Sequence, residues 1–235
     1  MVDVPVKSIV DERLSRLLAL VHDPLPEPNL RKANTALLII DVQYLTCHPD
    51  WGMGIKAKEK GFFEDLAWYW ERSRNVMIPN LQRLIATCRQ VGVEVIHSRI
   101  ATLTLDGRDT SRRYKALGVS TTPDAKEAEI LPEVAPQGDE IVLSKLTSSV
   151  FNSTTLDTVL HNIGIQNLIV VGLATDGCVE STVRSATEKD YSVILVEDAC
   201  GTIAPQLHEA AVLIMGYKDA IIKSTDEMVA ALEVL

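Results

Sequence analysis

Two short runs in this chain, TALLIID at 35–41 and NLIVVGL at 167–173, are apolar at almost every position. Strict alternation would mark a strand with one wet face, whereas an unbroken run of strand length means that both faces are covered. Such strands belong at the centre of a parallel sheet, and a parallel sheet needs a helical crossover between successive strands.

The rest of the chain supplies those parts. VEVIHSR (93–99), DEIVLSK (139–145), YSVILVED (191–198) and DAIIKS (219–224) read as four further strands. Helical patterns fall between them: NVMIPNLQRLIATCRQVG, TTLDTVLHNIG with Gly164 as its stop, the segment after Cys178, and QLHEAAVLIMG. Ser224 and Glu227 stand in capping-box spacing ahead of a last helix. The fold expected is a three-layer αβα sandwich around a central, mainly parallel six-stranded sheet. Residues 42–74 and the polar excursion at 100–130 read as irregular. SIVDERLSRLLALV (8–21) reads as a leading amphipathic helix, and Pro24, Pro26 and Pro28 make the following stretch an extended connector. That divides the chain into residues 1–34, helix and connector, and residues 35–235, one domain.

Composition narrows the function. Hydrophobic residues make up 46% of the chain, enough for a sizeable core, and the formal net charge of −9 argues against nucleic acid as a partner. No apolar run reaches membrane-spanning length, and the charged N-terminal stretch does not resemble a secretory leader, so the expected location is the cytoplasm. There, disulfides are not expected of Cys47, Cys88, Cys178 and Cys200, none of which forms a C-x-x-C pair.

In open α/β sheets, ligands gather outside the carboxyl ends of the strands. Asp41 closes the first strand, Lys145 closes the third, and Cys178 follows the fourth. If those strands are neighbours, an acid, a cation and a thiol meet at one rim. A thiolate can attack a carbonyl, a carboxylate can take its proton and pass it to a leaving amine, and a lysine can hold both anions. A helix start would favour the thiolate, and Gly177 permits a sharp turn before Cys178. The chemistry indicated is acyl transfer to water through a thioester.

The segments ALLIIDVQ, LSKLTSSVFNSTTL and LIVVGLATDGCVESTVRSA carry D-x-Q, K-x3-S-x-F and G-x-x-T-x-x-C-V patterns in that order. In them the chain resembles the isochorismatase-like cysteine hydrolases, which include nicotinamidases, N-carbamoylsarcosine amidase, ureidoacrylate and biuret amidohydrolases, and isochorismatase itself. The resemblance implies Asp41 as acid/base, Lys145 as the lysine and Cys178 as nucleophile. It also implies a cis Leu173–Ala174 bond, an oxyanion hole from the Ala174 and Cys178 amides, and Gln43 and Phe151 at the pocket entrance.

The one histidine of HSRIATLTLDGRD lacks the partners of the metal-binding nicotinamidases, so neither metal nor other cofactor is expected. Retention of Cys178 favours cleavage of a C–N bond over a vinyl ether. The substrate implied is a small linear amide or ureide (biuret-, triuret-, ureidoacrylate- or carbamoyl-like), with water as co-substrate and a dimer or tetramer as the assembly. A nicotinamidase-type aryl amidase and a non-catalytic binding protein on the same fold are the alternatives.

Other residues have blander readings. Cys88 and Cys200 read as structural, as does Cys47, although its loop should border the pocket. His97 reads as a satisfied histidine of the core or rim. Trp51, Trp68 and Trp70 fit either a hydrophobic lid or an interface. Arg108, Arg112 and Arg113 read as a solvated loop, with Arg112 the candidate for pairing with a substrate carboxylate or ureide.

Overall fold

The structure, a computed structural model, describes residues 12–21 and 23–235. Its strands are β1 (Thr35–Ile40), β2 (Glu94–Ile100), β3 (Ile141–Lys145), β4 (Asn167–Leu173), β5 (Ser192–Gly201) and β6 (Ile221–Lys223). The α-helices described are α1 (Glu12–Val21), α2 (Tyr44–Cys47), α3 (Met53–Glu59), α4 (Ala67–Arg72), α5 (Ile78–Val91), α6 (Arg112–Leu117), α7 (Leu156–Asn162), α8 (Glu180–Thr187), α9 (Pro205–Lys218) and α10 (Thr225–Leu232).

The six strands form one sheet in the order β3-β2-β1-β4-β5-β6, with every neighbour parallel. The two unbroken apolar runs are the central strands β1 and β4, buried along their whole length. Alternate residues of β1 feed two cores. Leu37 and Ile39 pack with Leu81, Leu84 and Cys88 of α5 and with Met228 and Leu232 of α10. Ala36, Leu38 and Ile40 pack on the opposite face with Leu160 of α7, Val183 of α8 and Val212 and Met215 of α9. This is the three-layer sandwich expected.

The order has one topological reversal, between β1 and β4. A crevice opens where successive crossovers leave in opposite directions, so the carboxyl ends of these two strands mark the ligand position of the sheet. The approach of the strands there is close. Gly172 has φ 109°, and a Cβ on it would lie 2.2 Å from the Ile40 carbonyl oxygen. Gly172→Ala is therefore expected to destabilise the fold by about 3 kcal/mol or more, from backbone strain together with a clash that cannot relax. Urea denaturation checks this: the midpoint should fall with little change in slope, and an unchanged midpoint would refute it.

Several elements differ from expectation. Residues 42–74 are largely helical rather than irregular, holding α2, α3 and α4. The helix expected at 75–92 is the end of a longer rod, in which α4 runs through a π-helical turn at Ser73–Met77 into α5. A widened turn just before Pro79 relieves the clash of its ring with the preceding turn and lets the helix pass. The leading helix covers 12–21, while residues 8–11 of the expected span lie outside the described residues. β5 extends to Gly201 and takes in Cys200, beyond the strand expected over 191–198. The capping box of Ser224 and Glu227 is present at α10. Among the described residues, no helix is long and apolar enough to cross a membrane.

Candidate active site

The sheet register explains how three distant residues meet. Ile40 pairs with both Ser98 and Gly172, and Ile100 pairs with Lys145. Asp41 thus leaves the central strand at the reversal, beside the end of β4. Lys145 stands two strands away, roughly 10 Å at ordinary strand spacing, a gap that an extended lysine side chain can span.

Asp41 is buried and adopts φ 55°, in the left-handed region that aspartate tolerates better than most residues. Its backbone is pinned on both sides: its N–H donates to the Ser98 carbonyl at 3.0 Å and its carbonyl accepts from Thr46 Oγ1. Its carboxylate Oδ2 lies 2.8 Å from Lys145 Nζ, and both side chains are essentially inaccessible. Lys145 Nζ also approaches the Thr147 carbonyl at 3.0 Å, Cys178 Sγ at 3.1 Å and the Tyr114 hydroxyl at 3.3 Å. Three N–H bonds thus face four acceptors.

Cys178 sits in a π-helical turn, Thr175–Val179, between β4 and α8. The Leu173–Ala174 bond is cis. The Ala174 carbonyl accepts from Gly177 N–H at 2.9 Å and Val179 N–H at 3.1 Å, so the partner that a regular α-turn would give Cys178 N–H is taken by its neighbours. The turn is braced from beneath. Thr175 Oγ1 meets His208 Nδ1 at 2.9 Å, and His208 Nε2 lies 2.9 Å from an Arg72 guanidinium nitrogen. Arginine has only donors, which assigns Nε2 as acceptor and leaves the proton on Nδ1 to donate to Thr175. Arg72 also donates to the carbonyls of Glu197 and Cys200 on β5, joining the turn to the neighbouring strand.

The electrostatics follow from burial. Desolvation pushes the Asp41 carboxyl above the ordinary carboxylate range, with Lys145 and a weaker hydrogen bond from the Cys178 thiol pulling back. Burial alone would lower Lys145, but Asp41, the Cys178 sulfur and Tyr114 outweigh it and the amine stays an ammonium. Burial, followed by the Asp41 charge, raises Cys178 to about 11 against the pull of Lys145. Burial and the Asp41 charge thus oppose the pull toward thiolate that a helix start and Lys145 supply, and favour a thiol beside a carboxylate placed to receive its proton. Burial raises Cys47, Cys88 and Cys200 further, each to about 12, and all three are buried where Cys178 is partly exposed.

The other expected site residues fare differently. Gln43 is fully buried, and its amide is spent on the protein itself. Nε2 donates to the carbonyls of Ile100 and Glu127, and Oε1 accepts from Ile100 N–H. With the Gln43–Ile130 bridge it bolts the 126–131 segment to the end of β2. Phe151 is buried with its ring 5.7 Å from that of Tyr191, in the core cluster against which Cys178 packs. Arg112 is exposed at the start of α6, and Arg113 donates to Ser148 Oγ. Residues two apart on a helix face different ways, so the side chain that α6 turns inward is Tyr114, buried with its hydroxyl 3.6 Å from Cys178 Sγ. Nothing in the sequence pattern singles out Tyr114; only its place after the Ser111 cap, whose Oγ accepts from Tyr114 N–H, sets its direction.

α6 belongs to an excursion whose ends meet where Thr102 N–H donates to the Thr121 carbonyl at 2.9 Å. Trp51 packs edge-on to Tyr44, Trp70 stacks on Phe63, and Trp68 lies under the Arg72 guanidinium. His97 is buried and meets Glu140 at 3.3 Å. Among the described residues, no three His, Cys, Asp or Glu side chains form a cluster able to hold a metal ion.

A model of the isochorismatase domain matches residues 35–227. The chain belongs to the isochorismatase family. Curated relatives include the ureidoacrylate amidohydrolase RutB of Pseudomonas syringae pv. syringae (strain B728a), 27% identical over 205 residues that cover 80% of this chain and 79% of the relative. RutB of Rhizobium rhizogenes is 28% identical over 79% of this chain and 78% of its own. Among solved structures, a cysteine hydrolase from Pseudomonas syringae pv. phaseolicola 1448A superimposes with a TM-score of 0.76 at 24% identity, over 90% of this chain and 98% of that one. N-carbamoylsarcosine amidase from Thermoplasma acidophilum gives 0.60 at 22% identity, over 82% and 97%. These two likenesses place the sandwich within the isochorismatase-like fold.

Proposed function

We propose that this isochorismatase-family protein is a cysteine-dependent amidohydrolase acting on a C–N bond of a small linear ureide or related amide. The observation that carries this reading is the partly exposed Cys178 thiol 3.1 Å from an ammonium that is itself 2.8 Å from a buried carboxylate. The names of the relatives support the substrate class, since ureidoacrylate and N-carbamoylsarcosine share a carbamoyl nitrogen.

In this reading Cys178 Sγ attacks the carbonyl carbon, a C–S bond forms, and the thiol proton passes to Asp41. Lys145 stabilises the sulfur as charge develops on it. The Cys178 N–H, released from the Ala174 carbonyl, and the Ala174 N–H receive the oxyanion. The C–N bond then breaks, and Asp41 returns the proton to the departing nitrogen, giving ammonia or an amine. Water adds to the acyl carbon and gives a proton to Asp41, and the C–S bond breaks as that proton returns to sulfur. Residues 35–235 form the hydrolase domain in this account, which the family match over 35–227 supports.

Ammonia release from biuret, triuret, ureidoacrylate, N-carbamoyl amino acids, maleamate and nicotinamide tests the proposal. One linear ureide should dominate, and acid quenching during turnover should leave its acyl group on Cys178 by mass spectrometry. Turnover of nicotinamide alone, or turnover with no adduct and no burst of the first product, would refute it.

The pH dependence has a defined sign. A carboxyl with a raised pKa regains its proton earlier as pH falls, so the working carboxylate is lost at higher pH than for an ordinary aspartate. The acid limb of kcat/KM should therefore lie above the usual carboxylate range. An acid limb at the value of a solvated aspartate would contradict a buried general base.

A further inference from the structure

We propose that Tyr114 is a further catalytic residue of this site, its hydroxyl donating a hydrogen bond to the Cys178 sulfur as the thiolate forms. The inference rests on the reading of Cys178 as nucleophile.

The argument starts from the donors and acceptors around Lys145. The ammonium has three N–H bonds, and the three shortest contacts are Asp41 Oδ2 at 2.8 Å, the Thr147 carbonyl at 3.0 Å and Cys178 Sγ at 3.1 Å. The hydrogen bonds of Nζ run to the Thr147 carbonyl, Cys178 Sγ and the Tyr114 hydroxyl, which use all three N–H bonds, and Asp41 Oδ2 is held as the ion-pair partner. The Tyr114 hydroxyl oxygen accepts from Nζ at 3.3 Å, so its own proton is free to be donated elsewhere. The sulfur, 3.6 Å away, is within reach of that O–H. Sulfur accepts weakly as a thiol and well as a thiolate, and hydrogen bonds to ionised groups are about twice as strong as neutral ones. The contact therefore strengthens as the reaction starts, which is the condition for accelerating a step. Burial, the largest influence on the phenol, keeps it protonated.

The position is held from several sides. Tyr114 is buried, its N–H is tied to the Ser111 cap, and Lys56 Nζ of α3 donates to the Leu117 carbonyl at the far end of α6. Arg113 and Thr110 anchor the flanks through Ser148 and Ser120. Such bracing fixes the phenol before substrate arrives, so little reorganisation is needed.

The test is the pH–rate profile of Cys178 alkylation by iodoacetamide, with each cysteine assigned by mass spectrometry, in the wild-type chain and Tyr114→Phe. Removing the donor should raise the alkylation midpoint of Cys178 by roughly half to one unit. In the amidase assay kcat should fall about tenfold with KM nearly unchanged. Labelling of the buried Cys88 should stay slow in both, reporting an intact fold. A change in access alone alters the rate but not the midpoint, so a merely space-filling tyrosine leaves the midpoint where it was.

Site-specific 3-fluorotyrosine at position 114, a stronger donor of nearly the same shape, should move the midpoint down. Coincident midpoints across the three forms would overturn the proposal. Absence of amide hydrolysis in the wild-type chain would instead refute the nucleophile reading, while the alkylation midpoints still decide whether the phenol bonds the sulfur.

Discussion

Replacing Lys145 by methionine is expected to cost about 3–5 kcal/mol of stability and to abolish activity, because it strands a buried carboxylate without its counter-ion. Lys145 and Asp41 are 0% and 1% exposed, so solvent screens neither partner. The decisive comparison is the double variant Asp41→Asn with Lys145→Met. Removing both charges leaves a site of similar volume with no uncompensated ion, and most of the lost stability should return while activity stays absent. Urea denaturation of the wild type, the two single variants and the double variant gives the four corners of a thermodynamic cycle. The pair is coupled if the double variant is more stable than Lys145→Met by at least about 2 kcal/mol. If the two losses simply add, the ion pair is not the unit described here.

Cys178→Ser should lose at least about a thousandfold in kcat, the loss typical of deleting a nucleophile that works as part of a group. The substitution keeps the shape of the side chain, and the introduced hydroxyl would retain Lys145 and Tyr114 as neighbours, so folding and substrate affinity should change little. Isothermal titration with the best ureide from the panel checks affinity, and quench-flow mass spectrometry checks that the acyl adduct is gone. Serine activity within tenfold of the wild type would mean that sulfur is not the attacking atom. An unchanged turnover together with a lost adduct would place the adduct off the pathway.

Much of this architecture is written into residue order, for a specific reason. A parallel strand buried on both faces leaves an unbroken apolar run, and its polar terminus marks where the chain emerges at the ligand rim. Asp41, Lys145 and Cys178 could be brought together on that basis alone. Tyr114 could not. It is one tyrosine in a charged excursion, and its inward direction depends on a short helix whose cap and anchors are visible only in three dimensions. Gln43 shows the opposite failure: a polar residue beside Asp41 was expected at the pocket entrance, yet its amide is consumed by backbone partners. The state of the thiol was also illegible. A helix start argues for a thiolate, while the depth of burial and the proximity of Asp41 push toward the thiol, and neither is a property of spacing.

The pinch between Thr102 and Thr121 has a consequence for how such a protein can be altered. Its stem is a hydrogen bond just past the carboxyl end of β2, so residues 103 to 120 can be exchanged as a cassette without re-cutting a strand. The exchange would not be neutral toward the chemistry, because the cassette carries the phenol that reaches the sulfur. Whatever else such a graft changes, it also brings, or removes, the hydroxyl that stands 3.6 Å from Cys178 Sγ.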